Sequence, residues 1–344
     1  EMRSYILDSN GKALTDLGTL GGGTTRAHDI NNAGQVVGSS RTAAGYEHAF
    51  ITGPNGVGMT DLGTLGGGSS YAYAINDAGQ VVGASYTATG DLRAFITGPN
   101  GVGMTQLGAL RKNETAYSIN DAGQVVGSSE TASGDGHAFI TGPNGVDMTY
   151  FGTPSEGHIS ASDINDAGQV VGYSTTASGA RYAFITGPNG LGMTDLGTLG
   201  GSYSSVASIN GAGQVVGDSR TPSDAEHAFI TGSNGVGMTD LGTLGGNFSY
   251  ASGINDAGQV VGQSSTAAGP LHVFITGPNG VGMTDLNSLV DLPSRIVRGS
   301  VDINNVGQVI IVADIPEPET YALMLAGLGL IGFAAWRQKS GSRV

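Results

Sequence analysis

A nine-residue segment, Ile75-Asn76-Asp77-Ala78-Gly79-Gln80-Val81-Val82-Gly83, recurs with small changes from Ile30, Ile119, Ile164, Ile209, Ile254 and Ile303, at intervals of 44 or 45 residues and a last one of 49. A fixed period in this range marks a repeat architecture and overrides local readings of secondary structure. A second block, Phe50-Ile51-Thr52-Gly53-Pro54-Asn55-Gly56 running on to Met59-Thr60-Asp61-Leu62, recurs from Phe95, Phe139, Phe184, Phe229 and Phe274. The start of the chain, Tyr5-Ile6 through Asn10-Gly11 to Asp16-Leu17, fits this block without gaps. Both blocks therefore occur seven times.

Each period holds four short runs of strand-like content, which in the second unit cover 70–75, 80–84, 93–97 and 104–107. Asn76-Asp77-Ala78-Gly79 suits a type I turn closed by a left-handed Gly, and Gly98-Pro99-Asn100-Gly101 suits a tight hairpin. No stretch before residue 315 has the 3.6-residue apolar spacing of a helix. Four antiparallel strands per 45 residues is the arithmetic of a β-propeller blade. The chain opens with the last two strands of a unit and closes, over 300–311, with the first two. Six whole units and two halves predict an all-β, seven-bladed propeller over residues 1–314, sealed by pairing of the N- and C-terminal strands. A parallel β-solenoid is the alternative. It also repeats and tolerates 61 Gly residues, but it does not need a tight hairpin turn twice per period.

Composition excludes several classes of function. With 28 acidic and 14 basic side chains the net charge is −14, and nucleic acid is not an expected partner, because phosphate binding needs a dense Lys/Arg surface. The absence of Cys removes disulfides, thiolate metal sites and Cys nucleophiles. There is no nucleophile elbow, and the Gly runs lack the Lys and the helix of a phosphate loop. His48, His137, His227 and His272 precede a core Phe, but Arg93 and Tyr182 hold the equivalent positions; the shared property is an amphipathic side chain, not a metal ligand. Asp77, Asp121, Asp166 and Asp256 cap their own turns, as Asn32 and Gly211 in the same place show that no charge is required. Asp16, Asp61, Asp195 and Asp240 charge the outermost strand against edge pairing. No metal and no cofactor are expected.

The two constant turns of each unit fall on one face of a propeller, and the connections that vary between units fall on the other. Leu65-Gly66-Gly67 becomes Leu110-Arg111-Lys112-Asn113-Glu114 in the third unit and Thr153-Pro154-Ser155-Glu156-Gly157-His158 in the fourth. Loops on a rigid scaffold commonly do the binding, so Arg111, Lys112, Glu114, Glu156 and His158 are the candidate binding residues.

After Asp314 the repeat stops. Ile315-Pro316-Glu317-Pro318-Glu319 leads into an apolar run from Tyr321 to Trp336 that includes Leu323, Leu325, Leu328, Leu330 and Phe333, followed by Arg337, Lys339 and Arg343. These 16 residues span about 24 Å as a helix, slightly short of the roughly 30 Å hydrocarbon core of a bilayer, a gap that thinning or snorkelling closes. Trp336 beside basic residues suits a membrane interface, with the basic end on the cytoplasmic side and the repeats outside. Residues 315–344 are thus expected to be a separate segment with a hydrophobic, membrane-spanning helix.

Pro316-Glu317-Pro318, the apolar span and the basic end, in that order, resemble the PEP-CTERM sorting signal of Gram-negative bacteria that make extracellular polysaccharide. The resemblance implies recognition by an exosortase-type membrane protease, with processing near the Pro-Glu-Pro motif. His48-Ala49-Phe50, Asp61-Leu62-Gly63-Thr64-Leu65 and Ile75-Asn76 to Gly83 resemble the HAF extracellular repeat, which implies a propeller at the cell surface. Proteins with such tails carry an N-terminal export signal; Glu1-Met2-Arg3-Ser4 has no apolar region, so a processed form or a fragment is expected.

The resulting expectation is a non-enzymatic exported protein, anchored in the inner membrane by its tail and then sorted to the cell surface or biofilm matrix, with extracellular polysaccharide as partner. A polysaccharide-acting hydrolase or lyase using the irregular loops is the alternative, and ice binding through repeated Thr rows is a third.

Overall fold

A computed structural model describes residues 1–8, 13–108, 112–130, 136–151, 158–175, 179–288 and 301–314, with Lys112 and Asp314 described by their backbone alone. Within these, the chain is all-β. The first whole unit forms one four-stranded antiparallel sheet in the order Gly21–Ile30, Val36–Thr42, Glu47–Thr52, Met59–Gly63. The second repeats it with Gly66–Ile75, Val81–Thr87, Leu92–Ile96 and Thr105–Gln106. The expected strands match these closely, except that the Leu-Gly-Gly connection is not a loop. Its glycines extend the first strand, and Leu65 and Leu244 bridge to Thr87 and Thr266. The reason is steric: a Cβ on Gly67 would run into the carbonyl oxygens of Tyr86 and Thr87, so only Gly lets the two strands approach there.

The two chain ends share a sheet. Met2–Leu7 pairs antiparallel with Val309–Asp314, from Met2 opposite Asp314 to Leu7 opposite Val309, and the sheet is completed by Leu14–Asp16 outside and Asp302–Ile303 inside. The core lies between neighbouring sheets. Val37, Ala49 and Ile51 of the first unit pack on Ala72, Ile75, Val81 and Phe95 of the second, and Tyr5, Leu7, Val309 and Ile311 pack on Val261 and Val273 of the last whole unit. The repeated Phe50, Phe95, Phe139, Phe184, Phe229 and Phe274 are all fully buried.

The constant turns hold neighbouring units together. In Pro54-Asn55-Gly56, a short 3-10 turn, Asn55 takes φ +54°, and the Gly56 amide donates to Gly34 O at 3.0 Å in the Asn31–Gln35 turn. The two expected turns thus meet on one face. Asn31 Oδ1 caps its own turn, accepting from the Ala33 and Gln35 amides. Its Nδ2 reaches the next unit and donates to Asn76 O at 3.1 Å. The same bond runs from Asn76 to Asn120, to Asn165, to Asn210, to Asn255, to Asn304, and from Asn304 Nδ2 back to Asn31 O at 2.9 Å. Capping was expected; the step from unit to unit was not.

Candidate functional site

The first strand of each unit lines a central space, and its residues change character with depth. At the constant-turn end a cavity of 210 Å³ is lined by all seven Ile-Asn motifs together with Asp29, Ser208 and Asp302. The residue before each motif Ile is Asp29, Ala74, Ser118, Asp163, Ser208, Gly253 or Asp302, so three carboxyl groups share this layer. Asp163 accepts from Ser118 Oγ at 2.5 Å, Ser208 Oγ at 2.8 Å and the Ile209 amide at 3.0 Å. Asp29 accepts from the Ile75 amide at 2.7 Å and is hydrogen-bonded to the carboxyl of Asp302. Removal from bulk water raises all three pKa values, and for Asp302 the neighbouring Asp29 charge raises it further. Asp29 and Asp302 are therefore read as a pair sharing a proton.

One residue nearer the varied face the wall becomes lopsided. His28, Tyr73 and Tyr117 stand in the first three units, where Ser162, Ala207, Ser252 and Val301 stand in the others. His28 stacks on Tyr73 with centroids 5.4 Å apart, and Tyr73 on Tyr117 at 5.9 Å. Burial pushes Tyr73 up to about 12 and His28 down, which leaves the imidazole neutral, with Nδ1 2.7 Å from Ala72 O. Where the aromatic series gives way to Ser162, a cavity of 450 Å³ is lined by His28, Tyr73, Tyr117, Ser160, Ala161, Ser162 and Tyr173. An aromatic-walled cavity with a few convergent polar groups is the usual form of a small-ligand site.

Tyr173 continues this wall onto the varied face. The Arg181 guanidinium lies 3.4 Å from the Tyr173 ring centroid and 5.8 Å from that of Tyr203, a cation–π arrangement. Beyond it, Asp218 is hydrogen-bonded to Glu226, and Tyr250 Oη donates to Glu226 Oε2 at 3.4 Å. Burial, then the Glu226 charge, pushes Asp218 up to about 7.

Of the sequence-predicted binding residues, His158 belongs here: it is exposed at the head of Ile159–Ile164 and its ring lies 5.9 Å from that of Tyr173. Glu114 does not. It was expected on a loop, but it lies within Lys112–Ile119, fully buried, at the position held by Thr25, Ser70 and Ser249 in other units. It packs under Gly108 and cannot meet a polymer in solvent. Lys112 begins the same strand, not a loop. Arg111 and Glu156 lie outside the described residues, as do Pro316, Glu317, Pro318, the apolar run from Tyr321 to Trp336 with its helix, and Arg337, Lys339 and Arg343. Among the described residues no helix is long and apolar enough to cross a membrane.

Three of the repeated His side chains prove to be partners of Asp residues. His48 Nδ1 lies 2.8 Å from Asp61 Oδ2, His227 from Asp240 and His272 from Asp285 likewise, while Asp61 also accepts from the Gly63 amide at 2.8 Å. The assignment of these Asp residues to edge protection alone was incomplete; they fix the third strand to the fourth.

The buried carboxyl layer sets an expected pH response. A carboxyl whose folded pKa is raised binds its proton more tightly in the folded than in the unfolded chain. Its stabilising contribution is full below the ordinary carboxylate pKa and is lost as pH rises through the folded value. Asp29, Asp163 and Asp302 should therefore make the melting temperature fall as the pH rises above the ordinary carboxylate range, and Asp302→Asn should flatten that fall. Parallel melting curves for wild type and variant, followed by circular dichroism, would contradict the shared proton.

The PEP-CTERM protein-sorting motif matches residues 314–339. No protein of curated function matches the chain in sequence. Among solved structures it is similar to TolB from Acinetobacter baumannii, at 11% identity and TM-score 0.52 over 82% of this chain and 64% of that one. A putative TolB from Agrobacterium tumefaciens matches at 11% identity and TM-score 0.51, over 92% of this chain and 100% of the other. A prolyl endopeptidase matches at 10% identity and TM-score 0.58, over 79% of this chain and 44% of the other. The chain thus spans under two thirds of the first and third of these. At such identities the likeness concerns the fold alone. The repeats form an all-β body of propeller-like fold, and the sorting motif that follows implies an exported, surface-sorted protein processed by an exosortase, a membrane protease.

Proposed function

We propose that the body is a closed seven-bladed propeller of HAF-type repeats, held in the inner membrane of a Gram-negative cell by its tail, then released to the surface or matrix, where it binds extracellular polysaccharide without catalysis. The pairing of Met2–Leu7 with Val309–Asp314 and the Asn series that returns from Asn304 to Asn31 support the closed ring. The observation that carries the ligand is the aromatic wall of His28, Tyr73, Tyr117 and Tyr173 around 450 Å³. Aromatic faces offer flat apolar area at low entropic cost, and Ser162, the Tyr hydroxyls and the His28 ring, all in the lining, supply hydrogen-bond partners for a polyhydroxylated ring. A cavity lined mainly by Lys and Arg would have argued for a polyanion instead.

The Asp218–Glu226 pair invites a hydrolase reading, since a carboxyl poised near neutrality can act as a general acid. Their mutual hydrogen bond argues against it. Glycosidic cleavage needs two carboxyl groups at least about 5 Å apart to flank the bond, and groups bonded to each other leave no room. Retention on the host's own extracellular polysaccharide should therefore be strong for the wild-type chain and fall about tenfold for Tyr73→Ala or Tyr117→Ala, the loss of about one aromatic contact. Turnover of the polymer that Asp218→Asn abolishes would replace binding with catalysis.

A further inference from the structure

We propose that, while the tail holds the chain in the membrane, the aromatic, loop-bearing face is turned toward the bilayer, and that removal of the tail uncovers it. The inference rests on the anchoring proposed above and deepens it. In the whole units where this connection is described, the second and third strands are joined across the varied face, as Val36–Thr42 is joined to Glu47–Thr52. The sheet shared by the chain ends lacks this connection: its second strand ends at Asp314 and its third begins at Met2, directly opposite. That second strand climbs from the Asn304–Gln308 turn, on the constant face, to Asp314. The chain therefore leaves the fold where a varied loop would stand.

Covalent reach decides which face the membrane can meet. Between Asp314 and Tyr321 lie six residues, seven Cα-to-Cα steps that extend to at most about 25 Å. To place the constant face on the bilayer they would have to cross the two outer strands, about 10 Å, and descend the height of a six-residue strand, about 20 Å more. The path of about 30 Å exceeds the tether. From the varied face the same six residues reach the membrane directly. Held this close, the cavity mouth cannot admit a polymer chain freely, so processing would convert an occluded binding face into an open one.

The chain has no Cys, so single-Cys variants carry a dye at one site each. Ala44→Cys and Ser223→Cys lie on exposed loops of the varied face; Val57→Cys and Val236→Cys replace side chains 68% and 73% exposed on the constant face. The full chain is reconstituted into phosphatidylethanolamine–phosphatidylglycerol vesicles with an acceptor-labelled lipid in the outer leaflet. Energy transfer is expected to be about twofold or more greater from Ala44→Cys and Ser223→Cys, because about 20 Å of strand separates the faces, and to fall away at all four sites when the tail is cut. Equal transfer from both faces, or greater transfer from Val57→Cys and Val236→Cys, overturns the orientation and leaves the anchoring intact. A chain that does not float with the vesicles overturns the anchoring, and the orientation with it.

Discussion

A chain ending at Gln308 is expected not to reach the folded state, whereas one ending at Asp314 is expected to melt like the whole repeat body. The six residues between them form the strand that joins the two ends. Val309, Ile310, Ile311 and Val312 are each 2% exposed or less, and burying four such side chains stabilises by about 6–12 kcal/mol at about 1.5–3 kcal/mol each. That is comparable with the entire stability of an ordinary domain. Loss of the strand also bares one edge of Met2–Leu7, which invites pairing between chains. Circular dichroism and size-exclusion chromatography of the two truncations should show an ordered monomer for the longer and an unfolded or aggregated chain for the shorter. Similar melting temperatures for both would mean that the terminal strands do not seal the body.

Replacing Pro316, Glu317 and Pro318 together by Ala is expected to abolish processing in a host that carries the protease. The wild-type chain should then be recovered with a mass lacking the residues beyond the motif, and the variant as a full-length species in the membrane fraction. Because the triplet follows the last paired residue, Asp314, the variant should melt like wild type in detergent. This separates a sorting defect from a folding defect. Intact-mass spectrometry reads the outcome, and identical processing of both chains would remove Pro-Glu-Pro from the recognition.

Much of this architecture is written in the period. Repetition near 45 residues marked the units, and the Gly and Pro-Asn-Gly turns marked their strands, because turn chemistry is local and the φ of Asn55 or Asn100 is set within a few residues. Partnerships between units are not local and were missed. Asn31 and Asn76 read as ordinary turn caps, since nothing in one period shows that Asn31 Nδ2 will meet the carbonyl of Asn76. The His48–Asp61 pair, 13 residues apart across two strands, shows only once the register is known. Attention to varied loops also led away from the strand interiors. A signal was present: the residue two before each motif Ile runs His28, Tyr73, Tyr117 and then turns small, and that break in symmetry builds the cavity. Glu114 misled for the converse reason. A charged side chain beside Arg111 and Lys112 looks like a loop, but its place in the unit is the buried hydroxyl site of Thr25 and Ser70.

Calorimetric titration of the processed chain with short fragments of the host's extracellular polysaccharide tests the binding site most directly, because the stoichiometry separates the lopsided cavity from the repeated surface. One site per chain is expected, lost when Tyr73 and Tyr117 are both replaced by Ala while the melting temperature stays near that of wild type. Six or seven equivalent sites, or full binding by the double variant, would place recognition on the repeats themselves and contradict the cavity.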